Sequence, residues 1–103
     1  MNDLEIIKQI EKVLNVKLEK THQFIWKSRN YILNQNNQVI SIGLFDCEID
    51  NRKLLYISFL LKDLNNLKQL ELSNNQINDI FPLIDFDNLS ELYLSKNQIS
   101  DIS

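Results

Sequence analysis

The chain has 103 residues, of which 44% are hydrophobic and 24% are charged, a composition typical of one ordinary globular domain. Its net charge is −3, and residues 31–103 carry ten acidic against five basic side chains, which argues against nucleic acid as a partner. A single glycine excludes a Gly-rich phosphate loop, and no apolar stretch reaches the length of a membrane span.

The first predicted element is an amphipathic helix over residues 3–14. Asn2 or Asp3 is expected to cap its start, and Asn15 is expected to end it in the left-handed conformation. The apolar residues that form one stripe along this helix are Ile6, Ile7, Ile10, Val13 and Leu14.

A linker with several aromatic residues follows the helix and leads to a predicted hairpin. Residues 31–33 and 39–44 flank an Asn/Gln-rich turn, the pattern of two antiparallel strands. Trp26 in the linker is expected to pack in the core, and the alternative is an exposed binding anchor.

Two segments in the second half of the chain repeat each other at a spacing of 22 residues. LKQLELSNNQINDI begins at Leu67 and LSELYLSKNQISDI begins at Leu89, and both fit the leucine-rich pattern L-x-x-L-x-L-x-x-N-x-L. A degenerate copy, VISIGLFDCEI, begins at Val39 with Cys47 in the asparagine position. Each copy predicts a short strand with leucines inside and intervening residues such as Glu71 in solvent. The predicted fold is an α/β leucine-rich-repeat solenoid with a short parallel sheet on its concave face.

We expect a helical and hairpin cap followed by about three repeats. The longer first repeat contains Leu54, Ile57 and Leu61 at helical spacing, which predicts a helix on the convex side. The N-terminal helix and the aromatic residues are expected to cover the core of the first repeat. The predicted boundaries are 1–38 for the cap and 39–66, 67–88 and 89–103 for the repeats, the last one incomplete.

The conspicuous polar residues of the repeats have a structural interpretation. Asn75 and Asn97 are expected to hydrogen-bond backbone groups at the bend after each strand, in a ladder that Cys47 joins as a small buried thiol. Because one cysteine forms no internal disulfide and no signal peptide is visible, the expected compartment is the cytoplasm. His22 is the only histidine, so we expect no enzyme, no metal site and no cofactor.

The candidate function lies on the outward positions of the strands, as a face that binds a protein. Phe45 and Tyr93 are expected to anchor the partner, and acidic residues give the face a mild negative character; the alternative is a plain solvated face. The candidate residues are Phe45, Asp46, Gln69, Glu71, Glu91, Tyr93 and Lys96.

The repeats resemble the 22-residue class found in bacterial internalins and in phosphatase-regulatory leucine-rich proteins, whose units carry I-x-D-I-x-P-L, here complete from Ile77. The segment from EIIKQIEKVLNVKLEK through YILNQNNQVISIGLFDCEI resembles the start of the leucine-rich region of bacterial Roco proteins. In that family the repeats precede a GTPase domain, so the resemblance implies the front part of a larger regulatory protein. No GTPase motif is present in this sequence.

Three functions are thus open: a protein-interaction module of a regulatory protein such as a Roco GTPase, a free-standing inhibitor or immunity-type regulator, and an internalin-like adhesin. The partner is expected to be a protein, with neither nucleic acid nor membrane involved. The last repeat has no cap in this sequence, so we also expect either a longer array or self-association through that end. The residues expected to be uncovered there are Leu92, Leu94, Ile99 and Ile102.

Overall fold

The computed structural model describes residues 1–98, and over these residues it contains two α-helices, one 3₁₀ helix and five strands. Expectations for Ile99, Ile102 and the end of the third repeat lie outside the described residues. The elements in chain order are α1 (Asp3–Leu14), β1 (Glu19–Thr21), β2 (Arg29–Leu33), β3 (Val39–Leu44), α2 (Asn51–Lys62), β4 (Gln69–Glu71), the 3₁₀ helix (Phe81–Leu83) and β5 (Glu91–Tyr93).

Helix α1 has the predicted bounds and caps. The Asn2 side chain accepts a hydrogen bond from the backbone N–H of Glu5 at 2.9 Å, and the Glu5 side chain accepts one from the N–H of Asn2 at 3.2 Å. Asn15 ends the helix at φ 55°, in the left-handed conformation that asparagine tolerates better than most residues. Asp3 also accepts a hydrogen bond from the N–H of Val39 at 2.8 Å, which joins the helix to strand β3.

The five strands form one sheet in the order β1-β2-β3-β4-β5. Strands β3, β4 and β5 are parallel, and their register pairs Ile42 with Leu70 and Leu70 with Leu92. These pairs are 28 and 22 residues apart, the same spacings that align the repeats in the sequence. Stacking of consecutive copies therefore accounts for three of the five strands of the sheet.

The other two strands of the sheet lie on the N-terminal side of β3. The hairpin is confirmed, because β2 pairs antiparallel with β3 across the turn at residues 34–38. Strand β1 was not predicted; it lies at the edge and pairs parallel with β2. A three-residue ladder at Glu19–Thr21 is too short to leave an alternating pattern in the sequence. The sheet is mixed because β2 runs antiparallel to β3 while the other pairs are parallel.

The core lies between one face of the sheet and the two α-helices. Helix α2 forms where the longer first repeat predicts it, and it turns Leu54, Ile57 and Leu61 into the core. The fully buried side chains facing them come from the repeat strands and from α1, and include Ile6, Ile10, Ile42, Leu44, Leu70 and Leu72. We call this side of the sheet the helical side.

The opposite side of the sheet carries no helix among the described residues. We call it the open face, defined by Ser41, Gly43, Gln69, Glu71, Glu91 and Tyr93. These residues alternate with the core residues along β3, β4 and β5, because successive side chains of a strand point to opposite faces. Neither α1 nor α2, nor any other helix within residues 1–98, is long and apolar enough to cross a membrane.

Candidate protein-binding face

Side chains of the open face are connected by hydrogen bonds that run across the strands. The Ser41 hydroxyl donates to Gln69 Oε1 at 2.9 Å, and Gln69 Nε2 donates to Glu91 Oε1 at 3.4 Å. The Tyr93 hydroxyl donates to the other oxygen of Glu91, and this hydrogen bond is the main cause that raises the pKa of Tyr93. Gln69, Glu91 and Tyr93 therefore form one polar group at the β4–β5 end of the face.

The prediction that Glu71 is exposed to solvent is wrong. Its side chain is only 1% exposed, although it lies on the open face. Glu71 Oε1 accepts a hydrogen bond from the backbone N–H of Ser73 at 2.7 Å, whereas Oε2 accepts none from any residue within 1–98. Two residues of the connection between β1 and β2, Trp26 and Lys27, line the same cleft as Glu71 on this side of the sheet.

Trp26 lies in that connection, and the prediction that it packs in the core is also wrong. The side chain is 56% exposed, and its ring meets Phe24 edge-on at a centroid distance of 4.7 Å. The Trp26 ring also lies 4.6 Å from the ring of Tyr93, which is 5.6 Å from Phe24. Phe24, Trp26 and Tyr93 thus form an aromatic cluster on the open face, which joins the N-terminal segment to the last strand.

Phe45, Asp46 and Lys96 lie where the strands β3 and β5 end. Phe45 is half-buried, while Asp46 and Lys96 are exposed. Asp46 and Lys96 have positive φ angles of 53° and 59°, and Asn74 has φ 60° at the equivalent position of the middle repeat. Arg29 donates from Nε to the Phe45 carbonyl at 3.0 Å and also donates to the Asp46 carbonyl, which ties the first of these bends to β2.

The asparagine side chains of the repeats bind backbone groups of two repeats at once. Asn75 Oδ1 accepts hydrogen bonds from the N–H groups of Cys47 and Ile49, at 2.9 and 3.0 Å. Its Nδ2 donates to the carbonyls of Leu44 and Leu72, at 3.0 and 2.9 Å. Asn97 repeats the arrangement one strand later, accepting from Ile77 N–H at 3.1 Å and donating to Leu72 and Leu94. These amides hold the repeats together and leave little capacity for a ligand.

Cys47 is 3% exposed and has no partner cysteine in the chain. Burial raises the pKa of its thiol to about 11, more than the nearby Arg29 lowers it. A thiol with that pKa is protonated at neutral pH and is a poor nucleophile. His22 lies on the surface, and within residues 1–98 no three His, Cys, Asp or Glu side chains are grouped closely enough to hold a metal ion.

The structure brings together most of the predicted face but adds residues that the sequence did not assign to it. Phe24, Trp26 and Lys27 reach the open face from the connection between β1 and β2. Their only signal in the sequence is the run FIWK inside a linker without periodicity. Asn30 is a second addition, because its side chain lies over Gly43 and donates to the Thr21 hydroxyl at 2.8 Å.

Comparison with known protein families gives one match. The family described as Leucine Rich repeats (2 copies) matches residues 65–103, which include β4 and β5. No curated protein matches the chain. The match agrees with the repeat unit that stacks in β4 and β5, and residues 65–103 are therefore similar to leucine-rich repeats.

Proposed function

We propose that the chain is a protein-interaction module and that the open face is the concave surface of a short solenoid on which the partner binds. Leucine-rich repeats commonly act as modules for binding other proteins, and the chain carries two copies in residues 65–103. A rigid hydrogen-bonded sheet holds its side chains in place before binding, which lowers the entropic cost of association.

The observation that carries this proposal is the aromatic cluster of Phe24, Trp26 and Tyr93. Trp26 exposes more than half of its surface, yet its ring is held by two neighbours at centroid distances of 4.7 and 4.6 Å. Exposed aromatic side chains with a fixed orientation are the residues that dominate the binding energy of many protein interfaces. The polar group of Gln69 and Glu91 beside Tyr93 supplies hydrogen-bonding groups at the rim.

The likeness of the N-terminal region to Roco proteins favours a regulatory protein in which this module recruits or senses a partner. We propose no catalytic role for the module. A free-standing inhibitor of the immunity type is the alternative, and an internalin-like adhesin is a third. The buried, protonated thiol of Cys47 is compatible with a reducing compartment such as the cytoplasm, which favours the first two.

A second surface competes with the open face. The helical side exposes large apolar side chains on α2 and on the 3₁₀ helix, and Phe81 is 72% exposed. Exposed apolar patches of this kind also mark protein-binding sites. The residues of this helical-side patch are Leu55, Tyr56, Phe59, Phe81 and Ile84.

Site-specific photo-crosslinking distinguishes the two surfaces. Benzoylphenylalanine is placed at Gln69 on the open face or at Tyr56 on α2, and each protein is irradiated in extract of the source cells. We expect one dominant protein adduct from position 69, and we expect Trp26→Ala to reduce its yield at least tenfold. Phe59→Ala is the matched control, because it removes an exposed aromatic ring from the helical side.

An adduct formed from position 56 and lost in Phe59→Ala would move the binding surface to the helical side. Equal adduct yields from position 69 in the wild-type and Trp26→Ala proteins would show that the aromatic cluster does not contribute to the interface. Circular dichroism of each variant verifies that its fold is intact before the yields are compared.

A further inference from the structure

Glu71 is the one side chain of the open face that combines complete burial with an unpartnered polar atom. The carboxylate is 1% exposed, and Oε1 is occupied by the N–H of Ser73 at 2.7 Å. No donor within residues 1–98 reaches Oε2. Burying a charged oxygen without a donor is unfavourable, so a sequence that keeps a carboxylate here gains most when a donor binds to it.

The Glu71 side chain lines a cleft on the open face, between the β1–β2 connection and the ends of the repeat strands. The cavity volume is about 240 Å³. Sites for whole small molecules typically measure roughly 300–1,000 Å³, so this cleft suits a single side chain rather than a metabolite. The residues that line the cleft are Trp26, Lys27, Phe45, Glu71, Ser73, Asn74, Ser95 and Lys96.

Two aromatic side chains and one carboxylate in the same cleft favour a cation. Trp26 and Phe45 both line the cleft, and aromatic rings attract cations to their faces. Phe24 and Tyr93 pack against the Trp26 ring and hold it in place. A guanidinium group fits this combination better than an ammonium group does. It is planar, it stacks on aromatic rings, and it donates several hydrogen bonds in one plane to a carboxylate.

The two lysines at the cleft indicate which charges the partner should carry beside that cation. Lys27 and Lys96 are both exposed, and neither donates to Glu71 Oε2. Their long stems let the ammonium groups stay in water at the rim while Glu71 lies at the bottom. A partner that inserts a positive group between two lysines benefits from acidic residues beside it, which would meet Lys27 and Lys96.

We propose that Glu71 binds an arginine side chain of a partner protein, and that acidic residues flank this arginine in the partner. The guanidinium enters the cleft beside Trp26 and Phe45 and donates to Glu71 Oε2. The flanking carboxylates of the partner pair with Lys27 and Lys96. This inference rests on the proposed function, since it specifies what the open face recognises.

The test uses two tripeptides and the intrinsic fluorescence of the protein. Trp26 is the only tryptophan in the chain, so its emission reports on this cleft alone. The probes are acetyl-Asp-Arg-Asp-amide and the same peptide with citrulline, a neutral analogue of nearly the same shape, in place of arginine. We expect a saturable change of Trp26 emission with the arginine peptide and an affinity at least tenfold lower with the citrulline peptide.

The decisive variant is Glu71→Gln, in which the amide oxygen still accepts the hydrogen bond of Ser73. We expect this variant to bind the arginine peptide at least tenfold more weakly than the wild-type protein. Glu91→Gln is the control on the next strand, and it should change the affinity for this peptide less than twofold. The backbone amide resonance of Ser73 provides a second readout, since Ser73 donates to the same carboxylate. It should shift on titration in the wild-type protein and remain unchanged in Glu71→Gln.

The proposal is overturned if the wild-type protein does not respond, if citrulline binds as well as arginine, or if Glu71→Gln binds as tightly as wild type. These outcomes are separable from failure of the proposed function. For this comparison Glu71→Gln is combined with the crosslinker at position 69. A full yield of the open-face adduct in that protein would refute the arginine proposal and leave the proposed interaction module supported. An adduct that forms from position 56 on the helical side and not from position 69 would refute both the arginine proposal and the proposed role of the open face.

Discussion

The side-chain oxygen of Asn75 lies 2.9 Å from the backbone nitrogen of Cys47, a residue 28 positions earlier in the chain. One side chain thereby satisfies a buried donor of the preceding repeat, and it satisfies a second one at Ile49. Both donors lie in the bend that follows β3, outside the ladder between β3 and β4, so they need an acceptor from elsewhere. The stability of the first repeat therefore depends on an asparagine of the second.

Asn75→Ala should destabilise the fold by about 2–6 kcal/mol, because it leaves the N–H groups of Cys47 and Ile49 buried without acceptors, at about 1–3 kcal/mol each. Asn97→Ala should cost less, about 1–3 kcal/mol, since within residues 1–98 Asn97 accepts from the Ile77 N–H alone, and it is only half-buried. Urea unfolding followed by far-ultraviolet circular dichroism measures both values. Equal losses in the two variants would contradict the assigned roles.

Gly43 lies in strand β3, one residue before its end, and has no room for a side chain. A Cβ at this position would stand 2.8 Å from the Ser28 carbonyl oxygen and would also collide with the side chain of Asn30. Gly43→Ala should therefore destabilise the protein by about 1–3 kcal/mol through overpacking. When Gly43→Ala is made in the Asn30→Ala variant, the loss of stability should be smaller, because one of the two obstructing groups is absent. The thermal midpoints of the single and double variants measure the difference, and strict additivity would count against the clash with Asn30.

Lys96 occupies the left-handed region at φ 59°, where the equivalent residues are Asp46 and Asn74. Asparagine enters this region several-fold more often than most residues, so Lys96→Asn should stabilise the chain by about 0.5–1 kcal/mol. The reverse change, Asn74→Lys, should destabilise it by a similar amount. Chemical denaturation of the two variants gives both free energies. A loss of stability in Lys96→Asn would mean that the lysine stem contributes packing that outweighs the backbone strain.

The thiol of Cys47 should make the stability of the protein depend on pH in the alkaline range. Burial raises its pKa from 9.0 to about 11, so the folded state favours the protonated form. This contribution is fully present below pH 9 and is lost progressively as the pH rises from 9 towards 11. Cys47→Ala should remove that part of the decline, which urea unfolding at pH 8, 9, 10 and 11 would reveal. The variant also retains Tyr93, so the titration of the phenol cancels in the comparison.

The thiol should likewise be protected from modification. Ellman's reagent at pH 8 is expected to react with Cys47 only at the rate at which the protein opens, since the side chain is 3% exposed. Addition of urea to the midpoint of unfolding should raise this rate at least a hundredfold. A fast reaction with the native protein would contradict both the burial and the raised pKa.

Local sequence patterns are sufficient to predict the pairing of the repeat strands and the caps of helix α1. The spacing of 22 residues predicts that Leu70 pairs with Leu92, and the alignment of the degenerate copy predicts that Ile42 pairs with Leu70; both pairs are present. The caps of α1 at Asn2 and Asn15 follow from residue type alone. Periodicity and capping are properties of neighbouring residues, so one sequence is sufficient to detect them.

The tertiary structure alone decided how the connection between β1 and β2 is placed. This segment has no periodicity, and its path depends on the contact of Trp26 with Tyr93, which is 67 residues away. That contact changes the candidate site in two ways, since it brings a tryptophan onto the open face and places it in the same cleft as Glu71. Repeats determine which residues stack because they recur along the chain, whereas a single long-range contact recurs nowhere and becomes visible only when the chain is folded.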